Sequence, residues 1–381
     1  MEHKLIKVFE EDNNYNNALT TLSLDIDEAT FIYHHEIDSK LEEACKDTIK
    51  KYNKKIKLNF VYIKDEKKDL DKLLDEETIV DISASKYLTI CLFEKAINKK
   101  LSIIYVDEEE GAIKWYNDRN KIIDKIFKFS IYDIIKLGGG KISKNQMHKN
   151  VDLKDTNTVN AIKKTVEVNM NRYPSFVGFV QRLNSYLSHR KIKDQKYSLT
   201  AELKRKILAD DIYKKIKNIG LFSIGENTLT FMNEEIESLF RVSGAFLENY
   251  LYIILKESNL FDEVDMSCIV DFSSYYNEYP IICEIDNIVI KNNHLLFISC
   301  KSNKVDNNAL FEIKVHNYIL GNNISSSAIC TLDDLNKTSP TVYLKAKEIK
   351  VGVIDKTAFI RKEVPETILA IMNNTYKYEG V

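Results

Sequence analysis

Between residues 3 and 107, five short apolar runs alternate with stretches patterned as amphipathic helices. No other feature of the chain constrains its fold as much. The runs are HKLIKVF (3–9), ATFIYH (29–34), IKLNFVYI (56–63), ETIVDIS (77–83) and LSIIYVD (101–107). Helical stretches fall at Tyr15 to Leu22, at Ile37 to Tyr52, around Leu70, Leu73 and Leu74, and at Lys86 to Asn98. In the second of these, Leu41, Cys45, Ile49 and Tyr52 recur at helical spacing. Strands separated by helices of this length pair in parallel, so the pattern predicts an α/β domain whose sheet is covered on both faces. KIIDKIFKFSI (121–131) predicts a closing strand, and the glycine cluster Gly138-Gly139-Gly140 marks the domain end near residue 140.

The 381 residues suggest two to three domains at about 150 residues each. Hydrophobic residues make up 44% and charged residues 29%, which excludes a disordered chain. With 55 Lys and Arg against 57 Asp and Glu, the net charge of −2 excludes a protein that coats nucleic acid nonspecifically, so nucleic acid would need a local basic patch. No run is long enough to cross a membrane, and the start turns acidic too soon for a signal peptide, so a cytoplasmic protein is expected. Cys45, Cys91, Cys268, Cys283, Cys300 and Cys330 form no CxxC pair and read as free thiols of a reducing compartment. The histidines show neither HExxH nor zinc-ligand spacing.

In an open parallel sheet, ligands bind beyond the carboxyl ends of the strands. Two polar segments fall there: Glu11 to Asn14, including Asp12 and Asn13, and Ser83-Ala84-Ser85-Lys86. Small residues ahead of a helix leave backbone N–H groups open to an anion, and Lys86 adds a full charge. An ordinary helix cap by Ser83 or Ser85 is the alternative. GxGxxG and GxxxxGK[ST] are both absent, so a common dinucleotide or nucleoside triphosphate loop is not indicated. Residues 141–225 read as a linker or helical spacer. Its basic residues (Arg182, Arg190, Lys191, Lys193, Lys196, Lys204, Arg205, Lys206) are interleaved with Phe179, Tyr186 and Tyr197, as on a solvated helix face or a nucleic-acid surface.

The last part, 226–381, carries the chemistry. Glu235 to Glu257 is patterned as one long helix, with Glu248 inside its apolar stripe. A carboxylate there needs a partner, a proton or a metal. VDMSCIVDF (264–272), PIICEIDNIVI (280–290) and LLFISCK (295–301) read as strands. Asn292-Asn293 suits a two-residue hairpin turn, because both can take positive φ. That turn sets Lys291 opposite His294, Asp286 opposite Ser299 and Glu284 opposite Lys301. Glu284, Asp286, Ser299 and Lys301 then share one face of the sheet, while Ile285, Ile298 and Cys300 point to the other. Two carboxylates, a hydroxyl and a lysine in one patch suit metal-assisted phosphodiester cleavage with magnesium or manganese.

The helix glutamate, strand ExD, hairpin and strand xxK resemble the PD-(D/E)xK nucleases. More narrowly, GAFLENYLY with EIDNIVIKNNHLLFISCKS resembles the nuclease domain of the CRISPR-ancillary nucleases activated by cyclic oligoadenylate. In that family the N-terminal half is a CARF domain, a Rossmann-like sensor, and the strand–SASK–helix segment at 77–97 is similar to its ligand loop. The resemblance implies a CARF sensor at 1–140, a spacer at 141–225 and a nuclease at 226–381. It implies a homodimer of antiviral defence with cyclic tetra-adenylate as activator and RNA or DNA as substrate. Residue by residue, Asp286 matches the metal-binding aspartate, Lys301 the catalytic lysine, Glu248 the helix glutamate, and Cys300 a backbone-carbonyl metal ligand. Ser299 departs from the pattern, which has Glu or Asp there, so Glu284, Glu248 or Glu312 would supply the second acid. A ligand-responsive regulator without catalysis and an ungated repair or restriction-like DNA nuclease are the alternatives.

Overall fold

A computed structural model describes residues 3–378 except 108–110, 119–120, 124, 144–150, 272–281 and 322–323. Phe272, Pro280 and Ile281, at the ends of two expected strands, lie outside the described residues. By internal contacts the chain divides into two units, Met1–Ile142 with Asp271–Ile282, and Ser143–Val270 with Cys283–Val381.

The first unit runs β1 (Lys4–Val8), α1 (Asn14–Ser23), β2 (Glu28–Tyr33), α2 (Ser39–Tyr52), β3 (Lys57–Tyr62), α3 (Glu66–Leu73), β4 (Thr78–Asp81), α4 (Tyr87–Asn98), β5 (Ser102–Asp107), β6 (Ala112–Trp115), β7 (Ile122–Ile123) and α5 (Ile131–Leu137). The sheet order is β3-β2-β1-β4-β5-β6-β7, and β1 to β5 pair in parallel as the alternation predicts. The closing strand expected at 121–131 needs correction. Gly111, at φ 60, lets the chain turn back after β5, so β6 pairs antiparallel with it, and among the described residues of 121–131 only Ile122–Ile123 form a strand. Behind β4, Leu88, Leu92 and Ala96 of α4 pack into one cluster with Ile6, Val8, Val80 and Ile103 of the strands. Lys7 and Asp81, neighbours on β1 and β4, form a buried ion pair at 2.8 Å with 1% and 0% exposure. Losing one partner of such a pair costs about 3–5 kcal/mol.

The second unit contains α6 (Thr156–Asn169), α7 (Tyr173–Leu187), β9 (Lys191–Lys193), β10 (Lys196–Ser198), α8 (Ala201–Ala209), α9 (Asp211–Ile216), β11 (Phe222–Ile224), β12 (Thr228–Phe231), α10 (Glu234–Leu239) and α11 (Ala245–Ser258). The short β8 (Lys141–Ser143) precedes them. There follow β13 (Glu263–Asp271), β14 (Ile282–Lys291), β15 (His294–Lys301), α12 (Asn307–Gly321), β16 (Ser325–Thr331), α13 (Leu335–Thr338), α14 (Pro340–Glu348), β17 (Gly352–Ile354), α15 (Lys356–Arg361) and α16 (Val364–Met372). β17, β16, β15, β14 and β13 lie side by side in that order, with β14–β15 antiparallel and β15–β16–β17 parallel. The sheet is therefore mixed.

Within 151–225 the basic residues divide, with Lys191, Lys193 and Lys196 on a hairpin, Arg182 on α7 and Lys204, Arg205 and Lys206 on α8, and Val159, Val177, Leu183 and Ile212 share one core with α11 and β15. The single helix expected at 235–257 is two, α10 and α11, broken at Phe240–Gly244. α11 packs Phe246, Leu247 and Leu251 against Val289, Leu296 and Ile298 of the hairpin. Each such side chain stabilises the fold by roughly 1.5–3 kcal/mol. Among the described residues no helix is long and apolar enough to cross a membrane.

Candidate functional site

The hairpin register is the one the Asn-Asn turn dictates. Asn292 and Asn293 take φ 48 and 63, and the ladder runs from Lys291 opposite His294 to Asn287 opposite Ile298. Burial alternates accordingly, with Glu284 exposed, Asp286, Ser299 and Lys301 half-buried, and Cys283, Ile285, Ile298 and Cys300 buried. Beyond the last backbone pair, Asp286 Oδ2 accepts the Cys300 N–H at 2.6 Å and the Ser299 hydroxyl at 3.3 Å. Ser299 therefore orients the aspartate, as its short neutral side chain allows.

Glu248 lies in the first turn of α11 with 8% exposure, as a carboxylate within an apolar stripe must. The first turn of a helix is where a negative charge is best tolerated. Its side chain folds back over Gly244, where a Cβ would collide with Glu248 Oε1. Below it, the buried Asn287 Nδ2 donates to the Glu248 carbonyl at 3.3 Å. Burial, then the charges of Asp286 and Glu284, push the Glu248 carboxyl up to about 8, with Lys301 opposing. Burial pushes Asp286 up to about 6 despite the Cys300 N–H and Lys301, which favour its charge. Lys301 is steadied by Glu312 of α12 at 3.7 Å. Burial holds the Cys300 thiol well above its ordinary value, so it stays a neutral packing group.

Among the described residues no three His, Cys, Asp or Glu gather closely enough to hold a metal ion by themselves. The donor set nevertheless fits a hard cation that keeps part of its water shell. The charge of Asp286 opposes ionisation of the buried Glu248, a conflict that a bound cation would relieve. Asp286 and Glu248 would hold such an ion, with the Cys300 carbonyl and Glu284 at its margin. Sequence patterning missed Asn287 and the orienting role of Ser299.

In the first unit, Ser83-Ala84-Ser85-Lys86 links β4 to α4. Neither serine caps the helix, and no side chain does. Ser83 is turned to Asp81, which accepts its backbone N–H at 2.8 Å. The Ser85 N–H is taken by the Glu10 carboxylate at 3.0 Å, and Lys86 pairs with the exposed Asp12 at 3.4 Å. The two polar loops flagged by the sequence therefore meet, with Asp12 of one, and Glu10 just ahead of it, occupying donors of the other. Asn13 is half-buried at the start of α1. Asn14 turns inward, 3% exposed, and spends its amide on the carbonyls of Leu41 and Leu137. It supports the loop from beneath, because a polar side chain buried there must find partners.

No protein-family model matches the chain, and no curated protein does. Solved structures do. Protein VC1899 from Vibrio cholerae superposes with a TM-score of 0.76 at 14% identity, over 97% of this chain and 98% of that one. Can2 from Sulfobacillus thermosulfidooxidans, determined in complex with cyclic tetra-adenylate, superposes with a TM-score of 0.68 at 12% identity, over 98% of each chain. The chain is thus an α/β protein sharing one fold along nearly its whole length with VC1899 and Can2.

Proposed function

We infer that the chain is a metal-dependent nuclease of CRISPR defence that a cyclic oligoadenylate activates, with residues 1–140 as sensor, 141–225 as connection and 226–381 as nuclease. The observation that carries this reading is the pair of acids Glu248 and Asp286, both raised in pKa, beside Lys301 at the open end of one hairpin. A magnesium or manganese ion there would supply charge neutralisation on a phosphodiester and a more acidic water. Asp286 and Glu248 hold the ion's place, Ser299 and the Cys300 N–H fix the Asp286 carboxylate, and Lys301 stabilises charge developing on the phosphate.

The activator reading is supported by the shared fold with Can2, whose structure holds cyclic tetra-adenylate, and by the Ser83–Lys86 loop. A phosphate would displace Asp12 from Lys86, compete with Glu10 for the Ser85 N–H, and lie near Ala84, Ser83 and Asn13. A homodimer would set two such loops about one ring. The ligand then acts by binding one arrangement of the dimer better than another.

The test incubates labelled RNA and labelled DNA with and without Mn²⁺ and with and without cyclic tetra-adenylate. Cleavage is expected only with both, and Asp286→Asn or Lys301→Ala should lower it by more than about a hundredfold. Ser299→Ala should cost far less. Cleavage by Asp286→Asn at near wild-type rate would sink the assignment. Activator binding without cleavage of any substrate would favour the non-catalytic regulator, and cleavage indifferent to activator the ungated nuclease.

A further inference from the structure

A chain of net charge −2 places eleven Lys and Arg against four Asp and Glu within residues 182–217. The structure gathers part of that excess on a projecting edge. β9 and β10 form a hairpin, and β9 is the outer strand of the sheet β11-β12-β10-β9, with Lys191, Ile192 and Lys193 all exposed. Lys193 stands directly across the strands from Lys196. Like charges in that position destabilise a hairpin. Lys193, Lys196 and Arg190 have no ion pair among the described residues. A lysine on an edge strand can serve to block strand pairing, but that needs no opposed pair.

The hairpin is held firmly from below. Glu237, 2% exposed, accepts from the Tyr197 hydroxyl and from the Gln195 N–H at 3.2 Å, and pairs with Lys191 at 3.2 Å and with Arg241. Gln195, in the turn, takes φ 56. Arg241 keeps 54% of its side chain exposed. Lys191, Glu237 and Arg241 are shared by two adjoining hollows of about 240 and 220 Å³. Only Val242 and Ser243 separate Arg241 from Gly244, at most about 11 Å of extended chain. Gly244 in turn lies against the Glu248 carboxylate. Glu237 thus holds Lys191 and Arg241 in place, and the short segment 241–244 ties Arg241 to the acidic cluster of the same unit.

We propose that Arg190, Lys191, Lys193, Lys196 and Arg241 grip the phosphate backbone of a nucleic acid and lay it across the Glu248–Asp286 cluster. Phosphates relieve the Lys193–Lys196 repulsion and release counterions, so the grip is independent of base sequence and sensitive to salt. The purpose of the grip rests on the nuclease reading, but binding does not require cleavage.

The test uses the full chain in EDTA, with fluorescent single-stranded and duplex oligonucleotides followed by anisotropy across a potassium chloride series. Lys193→Glu with Lys196→Glu should weaken binding about tenfold or more and reduce the slope of log affinity against log salt by about one to two. Lys54→Glu with Lys55→Glu, the same charge change at exposed positions of the first unit, should stay within about twofold. Equal losses in the two variants, or wild-type protein without salt-dependent binding, would overturn the grip. So would a hairpin variant that binds normally but self-associates in light scattering, since its lysines would then only guard an edge. Binding without cleavage under any metal or activator condition removes the nuclease reading and leaves the grip. Wild-type cleavage by the hairpin variant does the reverse.

Discussion

Ionising Glu248 without a cation places its charge beside Asp286 and Glu284 where little water reaches. Its carboxyl is raised from 4.5 to about 8, so the folded chain keeps a proton that the unfolded chain would release. The stability contributed by the neutral form is complete below the ordinary value and is lost as pH rises through about 8. Glu248→Gln keeps the neutral shape at every pH. In EDTA its melting temperature should exceed wild type by more at about pH 9 than at about pH 5, and Mn²⁺ should narrow the gap by stabilising wild type alone. An equal difference at both pH values would show that the carboxylate is not strained. Glu248 was legible in the sequence because a charge inside an apolar stripe contradicts its surroundings. Ser299 was legible in place, opposite Asp286, but not in role, since register alone does not tell a hydroxyl that orients a carboxylate from one that faces solvent.

At the scale of elements, periodicity located α11 but not where it begins. The apolar spacing continues through 235–257, yet the chain breaks at Phe240–Gly244. Just after that break the Glu248 side chain occupies the space a Cβ at residue 244 would need, a contact that a pattern of apolar residues does not encode. Gly244 has φ −94, which alanine adopts without strain. Gly244→Ala should therefore leave the fold and the melting temperature nearly unchanged while shifting the carboxylate. Cleavage with Mn²⁺ and activator should fall by about ten- to a hundredfold, since displacing a reacting group by an ångström costs that order. Full activity would mean that the position of this carboxylate does not matter. The same limit explains β6: only pairing geometry decides that the strand after Gly111 runs backward.

For the whole molecule, the alternation of strands and helices over 3–107 was enough to give the parallel core, because crossover connections leave few other solutions. The small sheet of 191–231 was not legible, since its strands are three or four residues long and mostly polar. A ring of adenylates presents repeated phosphates, and a two-fold dimer presents two copies of one loop. Calorimetry of the full chain should give one cyclic tetra-adenylate per two chains, and Lys86→Glu should weaken binding by about a hundredfold, replacing a phosphate partner with a repelling charge. One ring per chain would rule out a shared ring. The two-residue Asn292-Asn293 turn has a consequence for how such chains can diverge. Each strand of the hairpin alternates faces, so one residue gained or lost between Asp286 and the turn, or between the turn and Lys301, would put an acid where the core is and a core residue where the acid was. Substitutions can accumulate along that stretch, but its length can drift only in steps of two, so in descendants of this chain the parity of the interval should outlast the residues that fill it.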